Sequence, residues 1–380
     1  MAGAHHLLHL FSTFAAGGPQ VRTATLIHAL PDRFRHTIVG LDGNFACAAR
    51  LAGHPRVAYA DPPPKGRLGA YSWRLGKLIA RQRPDLVLTY NWGAIEAIPG
   101  ARLFGYRRVL HGEDGFGPDE AQGELARRVR FRRLVLPLAM RVVVPSQLLL
   151  RRAETSWHVP ERKRLWIRNG IDLAHFAPPP DAASRAAARA ALQLPQEVAV
   201  VGTVARLRAE KGLDLLIRAL AEQPAGASAT WRTAHLLIVG DGPEEGALRS
   251  LAQSLGIAAR VRFAGNLPDP RDAYRALDLF ALSSHTEQMP ISLLEAMGCG
   301  RAAVSTAVGD VATMIAPENR DFVVESRAPA ALAAALRQLL DDPARRAAIG
   351  AANRAKALAE YDLATMVLCY QSLYDELLSV

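Results

Sequence analysis

The sequence predicts an α/β protein of two doubly wound domains facing each other across a cleft. Three observations predict it. At 380 residues the chain exceeds what one hydrophobic core usually organises. Short apolar runs alternate with helix-periodic stretches through both halves, the pattern of parallel strands joined by crossover helices. That rhythm breaks at Ala177-Pro-Pro-Pro-Asp181, where consecutive prolines favour a stiff, extended connector.

In the first half the strand candidates are His6–Phe11, Thr37–Leu41, Val57–Tyr59, Asp85–Thr89, Arg108–Leu110, Val142–Val144 and Arg164–Ile167. Gln20–Leu30, Tyr71–Gln82 and Gln147–Ser156 carry helical periodicity between them. After the prolines the strands resume at Val198–Val204, His235–Val239, Arg260–Ala264, Leu279–Leu282, Ala302–Ser305 and Phe322–Val324, and a largely helical run follows from Pro329. The expected domains are residues 1–177 and 178–360, with a terminal helix over 361–380.

Half of the residues are hydrophobic and 22% are charged, which excludes a disordered chain. The formal net charge is +10, and residues 101–170 hold fifteen Lys/Arg against seven Asp/Glu. Such a segment fits either a phosphate-rich partner or a solvated Arg-rich surface. Its densest part, Arg127-Arg128-Val129-Arg130-Phe131-Arg132-Arg133-Leu134-Val135-Leu136, interleaves arginine with apolar side chains and predicts docking on an anionic membrane surface. No nucleic-acid partner is expected. The three cysteines, Cys47, Cys299 and Cys369, are far apart, which argues against a disulfide framework or a zinc site. The N-terminus carries no basic residue ahead of its short apolar run, and no apolar stretch approaches the ~20 residues of a bilayer span. A cytoplasmic protein, peripheral on the inner face of a membrane, is the expectation.

Ligands of doubly wound sheets bind beyond the carboxyl ends of the strands, so the informative motifs are those that follow strands. Ser283-Ser284-His285-Thr286-Glu287-Gln288-Met289-Pro290-Ile291-Ser292-Leu293-Leu294-Glu295-Ala296-Met297 closes one. Pro290 suits the first turn of a helix, whose unpaired N–H groups at Ile291, Ser292 and Leu293 offer a site for a diphosphate. Glu287 and Glu295 flank that site. Carboxylates beside a diphosphate do not hold its charge but accept hydrogen bonds from sugar hydroxyls; taken alone, a capping acid and a solvated helical Glu account for them equally.

Val201–Gly212 ends another strand, with Arg206 and Lys211 placed to neutralise phosphate; solvated loop cations are the alternative. The chain has no Asp-x-Asp triplet to bring a divalent ion to a diphosphate, so no metal cofactor is expected. His235–Gly246 imitates a dinucleotide loop, yet Asp241 would repel a pyrophosphate and the next strand ends in Gly265-Asn266 without an acid. A dehydrogenase is disfavoured.

These strings together resemble the GT-B retaining glycosyltransferases of family 4, the group 1 class, through the Glu-x7-Glu pattern of Glu287 and Glu295, the Lys211-Gly212 phosphate loop, Gly265-Asn266-Leu267, Val143-Val144-Pro145-Ser146 and Ile167-Arg168-Asn169-Gly170-Ile171-Asp172. The resemblance implies two Rossmann-like domains, the first on the acceptor side and the second holding the donor, with a C-terminal helix crossing back to the first. It implies retention and a nucleotide-diphosphate sugar donor of UDP or GDP type. It places Arg206 and Lys211 on the diphosphate, Glu287 on the donor sugar, Glu295 on the ribose, Asn266 and Leu267 on the base, and Met289, Pro290, Ile291 and Ser292 around the donor. The loop holding Gly17 and Gly18 faces the donor phosphates, His111 lies near the sugar, and Asp114 is the acceptor-side candidate. Gln288 departs from the pattern, since the family usually has Gly there. A saccharide or lipid-linked acceptor of cell-surface polysaccharide, lipopolysaccharide or glycolipid synthesis is implied. A nucleotide-sugar epimerase of the same fold and a basic protein binding phosphate surfaces are the rival readings.

Overall fold

The computed structural model describes residues 4–15, 17–116, 118–120 and 123–379. Contacts divide the chain into two compact units. One comprises Met1–Asn169 with Ala364–Val380, the other Gly170–Leu363. The division precedes the prolines expected at the boundary because Ile171 and Leu173 already bury in the second core, and Ile171 bridges Asp362 there.

The first unit is built on a parallel sheet of seven strands: β1 (His5–Phe11), β2 (Phe34–Gly40), β3 (Val57–Tyr59), β4 (Leu86–Tyr90), β5 (Val109–Gly112), β6 (Arg141–Val144) and β7 (Arg164–Trp166), in the order β3-β2-β1-β4-β5-β6-β7. Helices cover both faces, so the central strands read as unbroken apolar runs rather than alternating ones. The second unit repeats the plan with β8 (Val200–Val204), β9 (His235–Val239), β10 (Val261–Gly265), β11 (Leu279–Leu282), β12 (Ala302–Thr306) and β13 (Val323–Val324), in the order β10-β9-β8-β11-β12-β13. Strand order reverses direction at β1/β4 in one sheet and at β8/β11 in the other, and loops at such a reversal diverge to leave a crevice.

All thirteen strands fall on the segments the alternation predicts, within three residues at each end. The helix Ala97–Leu103 does not appear in that reading, because Pro99 and Gly100 look like breakers. Pro99 in fact sits in the first turn, where its missing N–H costs nothing. Gly100 lets this helix cross the helix Leu68–Gln82 closely: a Cβ there would lie 2.3 Å from Ser72 O. The final helix, Leu363–Ser379, packs on the first unit through Tyr370, Leu373, Tyr374 and Leu377, with the Tyr374 ring edge-on to Phe34 at 6.0 Å.

His6, His9 and His36 lie buried on β1 and β2 of the first sheet. His9 Nε2 is 3.0 Å from His36 Nδ1, His9 Nδ1 is 3.0 Å from Tyr90 Oη, and His6 Nε2 is 2.7 Å from Thr37 Oγ1. Burial pushes the His36 pKa down to about 3, with Arg56, His54 and His6 adding to the effect, and holds His9 well below its ordinary value. A histidine whose folded pKa is depressed binds its proton more readily when unfolded. Stability is therefore fully present above about pH 6.5 and is lost as pH falls towards 3, by up to ~1.4 kcal/mol per pH unit per group. Urea unfolding between pH 7 and 4.5 should show this slope, and His36→Gln should reduce it; equal slopes would contradict the assignment.

Candidate active site

In the second unit the carboxyl ends of four adjacent strands, β10, β9, β8 and β11, carry the residues that the motifs single out. The segment after β8 runs through Arg206 into a 3₁₀ turn, Ala209–Lys211, and Gly212 then adopts a left-handed conformation (φ 56°). A Cβ at Gly212 would sit 2.3 Å from Ser283 O, so only glycine lets this loop lie against the one after β11. The two loops are joined by hydrogen bonds from His285 N to Glu210 O (2.8 Å) and from Ser283 Oγ to Lys211 O (3.1 Å).

This packing brings Lys211 Nζ to 2.5 Å from Glu287 Oε1, which also accepts from Ser284 Oγ at 2.8 Å. Arg206 Nη1 lies 2.6 Å from Asp241 Oδ1 on the turn after β9. Beyond Glu287 the helix Ile291–Gly298 begins behind Pro290. The three N–H groups expected to be free there reduce to two, since Leu293 N donates to Pro290 O at 3.2 Å in a tight first turn. Among the described residues those of Ile291 and Ser292 meet no protein acceptor. Cations, two unspent amide donors and a helix N-terminus thus converge, which is a site for an oxyanion.

Glu295, on the same helix, accepts a hydrogen bond from Tyr274 Oη at 2.6 Å. Tyr274 is fully buried, and burial followed by the Glu295 charge holds its phenol protonated, so it orients the carboxylate as a donor. Sequence reasoning did not find Tyr274, which looks like an ordinary core aromatic, nor Ser284. Met289 and Pro290 are buried at the helix start, whereas Asn266 is exposed and Leu267 partly buried on the turn after β10. Gly240 N donates to Gly265 O at 2.8 Å, fixing that turn to its neighbour.

In the first unit Gly17 caps the helix Gly18–Ala29, and Gln20 Nε2 returns to Thr13 O at 3.0 Å to close the loop after β1. On the same helix Arg22 pairs with both carboxylate oxygens of Asp114, donates to Asn169 Oδ1 at 2.9 Å and lies over the Tyr370 ring. Asp114 N donates to Asn91 Oδ1 at 2.6 Å. Asp114 is consequently a fixed, charge-paired group, with a side chain 8% exposed.

His111 occupies a different setting from the ligand-facing one expected. Its ring is fully buried; Nδ1 shares a 2.8 Å hydrogen bond with Thr89 Oγ1 and Nε2 faces Glu113 Oε2 at 3.2 Å. Both ring nitrogens are spent, so no atom of His111 is presented to a ligand in this arrangement. Glu113 leads to Arg132, which also meets Glu120 at 3.2 Å and Glu124 at 3.5 Å beneath the rings of Trp92, Phe116 and Trp157. Burial opposes the Arg132 charge, but the three carboxylates outweigh it and raise its pKa.

The arginine-rich segment is therefore not a uniform basic face. It forms the helix Ala126–Val135, and Arg132 is wholly internal while Arg128 is committed to Asp119 and Glu120. Arg127, Arg130 and Arg133 remain exposed, with Leu134 (73%) and Leu138 (40%) beside them.

Models of two families match the chain: Glycosyltransferase Family 4 over residues 16–175 and Glycosyl transferases group 1 over residues 184–356. The D-inositol 3-phosphate glycosyltransferase of Kineococcus radiotolerans is 35% identical over 305 residues, covering 74% of this chain and 65% of that one. Its counterpart in Thermobispora bispora is 32% identical over 296 residues, covering 74% and 64%. The chain thus spans slightly under two thirds of the length of these relatives. Among solved structures, Anabaena HepE in complex with UDP and glucose aligns with a TM-score of 0.81 at 22% identity, over 99% of this chain and all of that one. The shared architecture is the two-domain GT-B fold.

Removing one partner of a buried ion cluster leaves charges unpaired and costs about 3–5 kcal/mol. Arg132→Met, which keeps the bulk and strips the charge, should lower unfolding stability by that amount in urea titrations; a loss below about 1 kcal/mol would show that the cage is not structural.

Proposed function

Because the chain belongs to glycosyltransferase family 4, the group 1 glycosyl transferases, we propose that it moves a glycosyl group from a nucleotide-diphosphate sugar to an acceptor hydroxyl with retention at the anomeric carbon. The observation that carries this reading is the meeting of Lys211, Glu287 and the start of the helix Ile291–Gly298 at the β8/β11 reversal. Phosphate cations, a sugar-type acceptor carboxylate and amide donors occupy one crevice.

In this reading Arg206, Lys211 and the N–H groups of Ile291 and Ser292 take the diphosphate, and Glu287 takes a hydroxyl of the donor sugar. Glu295, aimed by Tyr274, takes the ribose, while Asn266 and Leu267 border the base. Met289 and Pro290 shape the donor pocket. The acceptor oxygen bonds to the anomeric carbon as the bond to the terminal phosphate oxygen breaks. That phosphate takes the acceptor proton on the same face, and Arg206 and Lys211 stabilise the charge left on it. These cations do the work of a metal. Asp114, locked by Arg22, is a positioning group on the acceptor side. His111 supports the same loop from within.

The names of the relatives make inositol phosphate the first acceptor to try, beside lipid-linked saccharides of cell-surface polymers. Calorimetry in EDTA with UDP-, GDP- and ADP-sugars tests the donor site. Binding should persist in EDTA, and Glu295→Ala should weaken it by about 1.5–3 kcal/mol, the worth of hydrogen bonds to a charged group. Unchanged affinity in that variant, or activity abolished by EDTA and restored by manganese, would contradict the assignment.

We further propose that the first unit, on the cytoplasmic side, docks on an anionic membrane through Arg127, Arg130, Arg133, Leu134 and Leu138, joined by exposed Leu103 on the neighbouring helix. Among the described residues no helix is long and apolar enough to cross a membrane. Each surface arginine contributes roughly 1 kcal/mol at low salt. Sedimentation should show binding to anionic but not neutral vesicles, weakened by salt and by changing Arg127, Arg130 and Arg133 to Ser. Equal pelleting in all cases would refute it.

A further inference from the structure

One polar group at the donor site has no work to do in the protein as it stands. Gln288 follows Glu287 and is only 6% exposed, yet among the described residues its Oε1 has no hydrogen-bond partner. Its backbone is held firmly. Asp310 N donates to Gln288 O at 3.0 Å, and Gly309 packs so closely in a left-handed conformation (φ 53°) that a Cβ there would lie 2.6 Å from that oxygen. Thr306 Oγ1 fixes the preceding turn by donating to Ser284 O at 2.6 Å. The side chain is thus presented by a rigid loop.

A buried acceptor left unmet is destabilising, and native proteins rarely keep one without a water or ligand to meet it. We propose that Gln288 is a specificity-determining residue for the donor sugar, its carboxamide oxygen accepting a hydrogen bond from a hydroxyl next to the one bound by Glu287. This rests on the donor-site reading given above and names what that site selects. The chemistry narrows the occupant. Phosphate oxygens at neutral pH are acceptors only and offer Oε1 nothing. With Lys211 turned to the diphosphate, Glu287 offers a charged acceptor and Gln288, the next residue, a neutral one, so two adjacent ring hydroxyls can each find a partner. A sugar lacking that hydroxyl strands Oε1 in the complex, which is how a polar site rejects a deoxy analogue.

Gln288→Met keeps the side-chain length and removes the polar atoms. Calorimetry on the full chain with UDP, UDP-glucose, UDP-galactose, GDP and GDP-mannose, followed by monodeoxy analogues of whichever sugar nucleotide binds best, reads the consequence. The proposal predicts that the variant keeps or raises its thermal midpoint and keeps its affinity for the free nucleoside diphosphate, while the matched sugar nucleotide binds about ten-fold more weakly. It also predicts that the deoxy analogue penalised by the wild-type chain is not penalised further by the variant. Sugar nucleotide and free nucleotide weakening together, a lowered midpoint with unchanged sugar preference, or no change in any affinity would each overturn it. If the wild-type chain binds no nucleotide sugar at all, the donor-site reading fails first and this one with it, a result distinct from loss of selectivity alone.

Discussion

The contact between Lys211 and Glu287 is the interaction on which the crevice of the second unit turns. It joins the segment after β8 to the one after β11, the two strands between which the sheet order reverses. For the ammonium to reach the carboxylate, the two loops must lie within van der Waals distance, and Gly212 is the position where a side chain would prevent it; Gly309, after β12, lets a third loop pack against Glu287. Both groups are mostly shielded, with side chains 24% and 11% exposed, so the pair is stronger than a surface salt bridge. In the proposed donor complex the lysine turns to the diphosphate and the carboxylate to a hydroxyl of the sugar.

The first unit follows a different logic. Its buried polar groups are consumed within the fold: Asp114 by Arg22, His111 by Thr89 and Glu113, and Arg132 by three carboxylates under three aromatic rings. Rigid positioning of the loop after β5 results, because each buried charge is satisfied only in one geometry. The first unit is therefore preorganised around that loop, whereas the crevice of the second holds cations paired with carboxylates.

Much of this was legible in the sequence, and what was not has a physical reason. The strands could be read because parallel strands covered on both faces are continuous apolar runs, and the sites after β8 and β11 because glycine and proline punctuate them. Lys211 and Glu287 meet across the loops after β8 and β11, and Glu295 lies on the helix that starts behind Pro290. Burial of polar groups was not legible. An arginine written among other arginines gives no sign that Arg132 points inward while Arg130 points outward, since five of the ten positions of that helix are arginine and mask its phase. Nor does Tyr274 differ in sequence from any core aromatic, although its hydroxyl aims Glu295.

The central claim is that Lys211 and the start of the helix Ile291–Gly298 receive a diphosphate. Phosphorus-31 NMR of UDP titrated with the chain and with Lys211→Met tests it at the phosphorus atoms themselves. The account predicts that the wild-type chain shifts and broadens the β-phosphate resonance in the presence of EDTA, and that Lys211→Met largely abolishes the shift while its thermal midpoint is retained. A β-phosphate resonance unmoved by the wild-type chain, or moved equally by the variant, would contradict it.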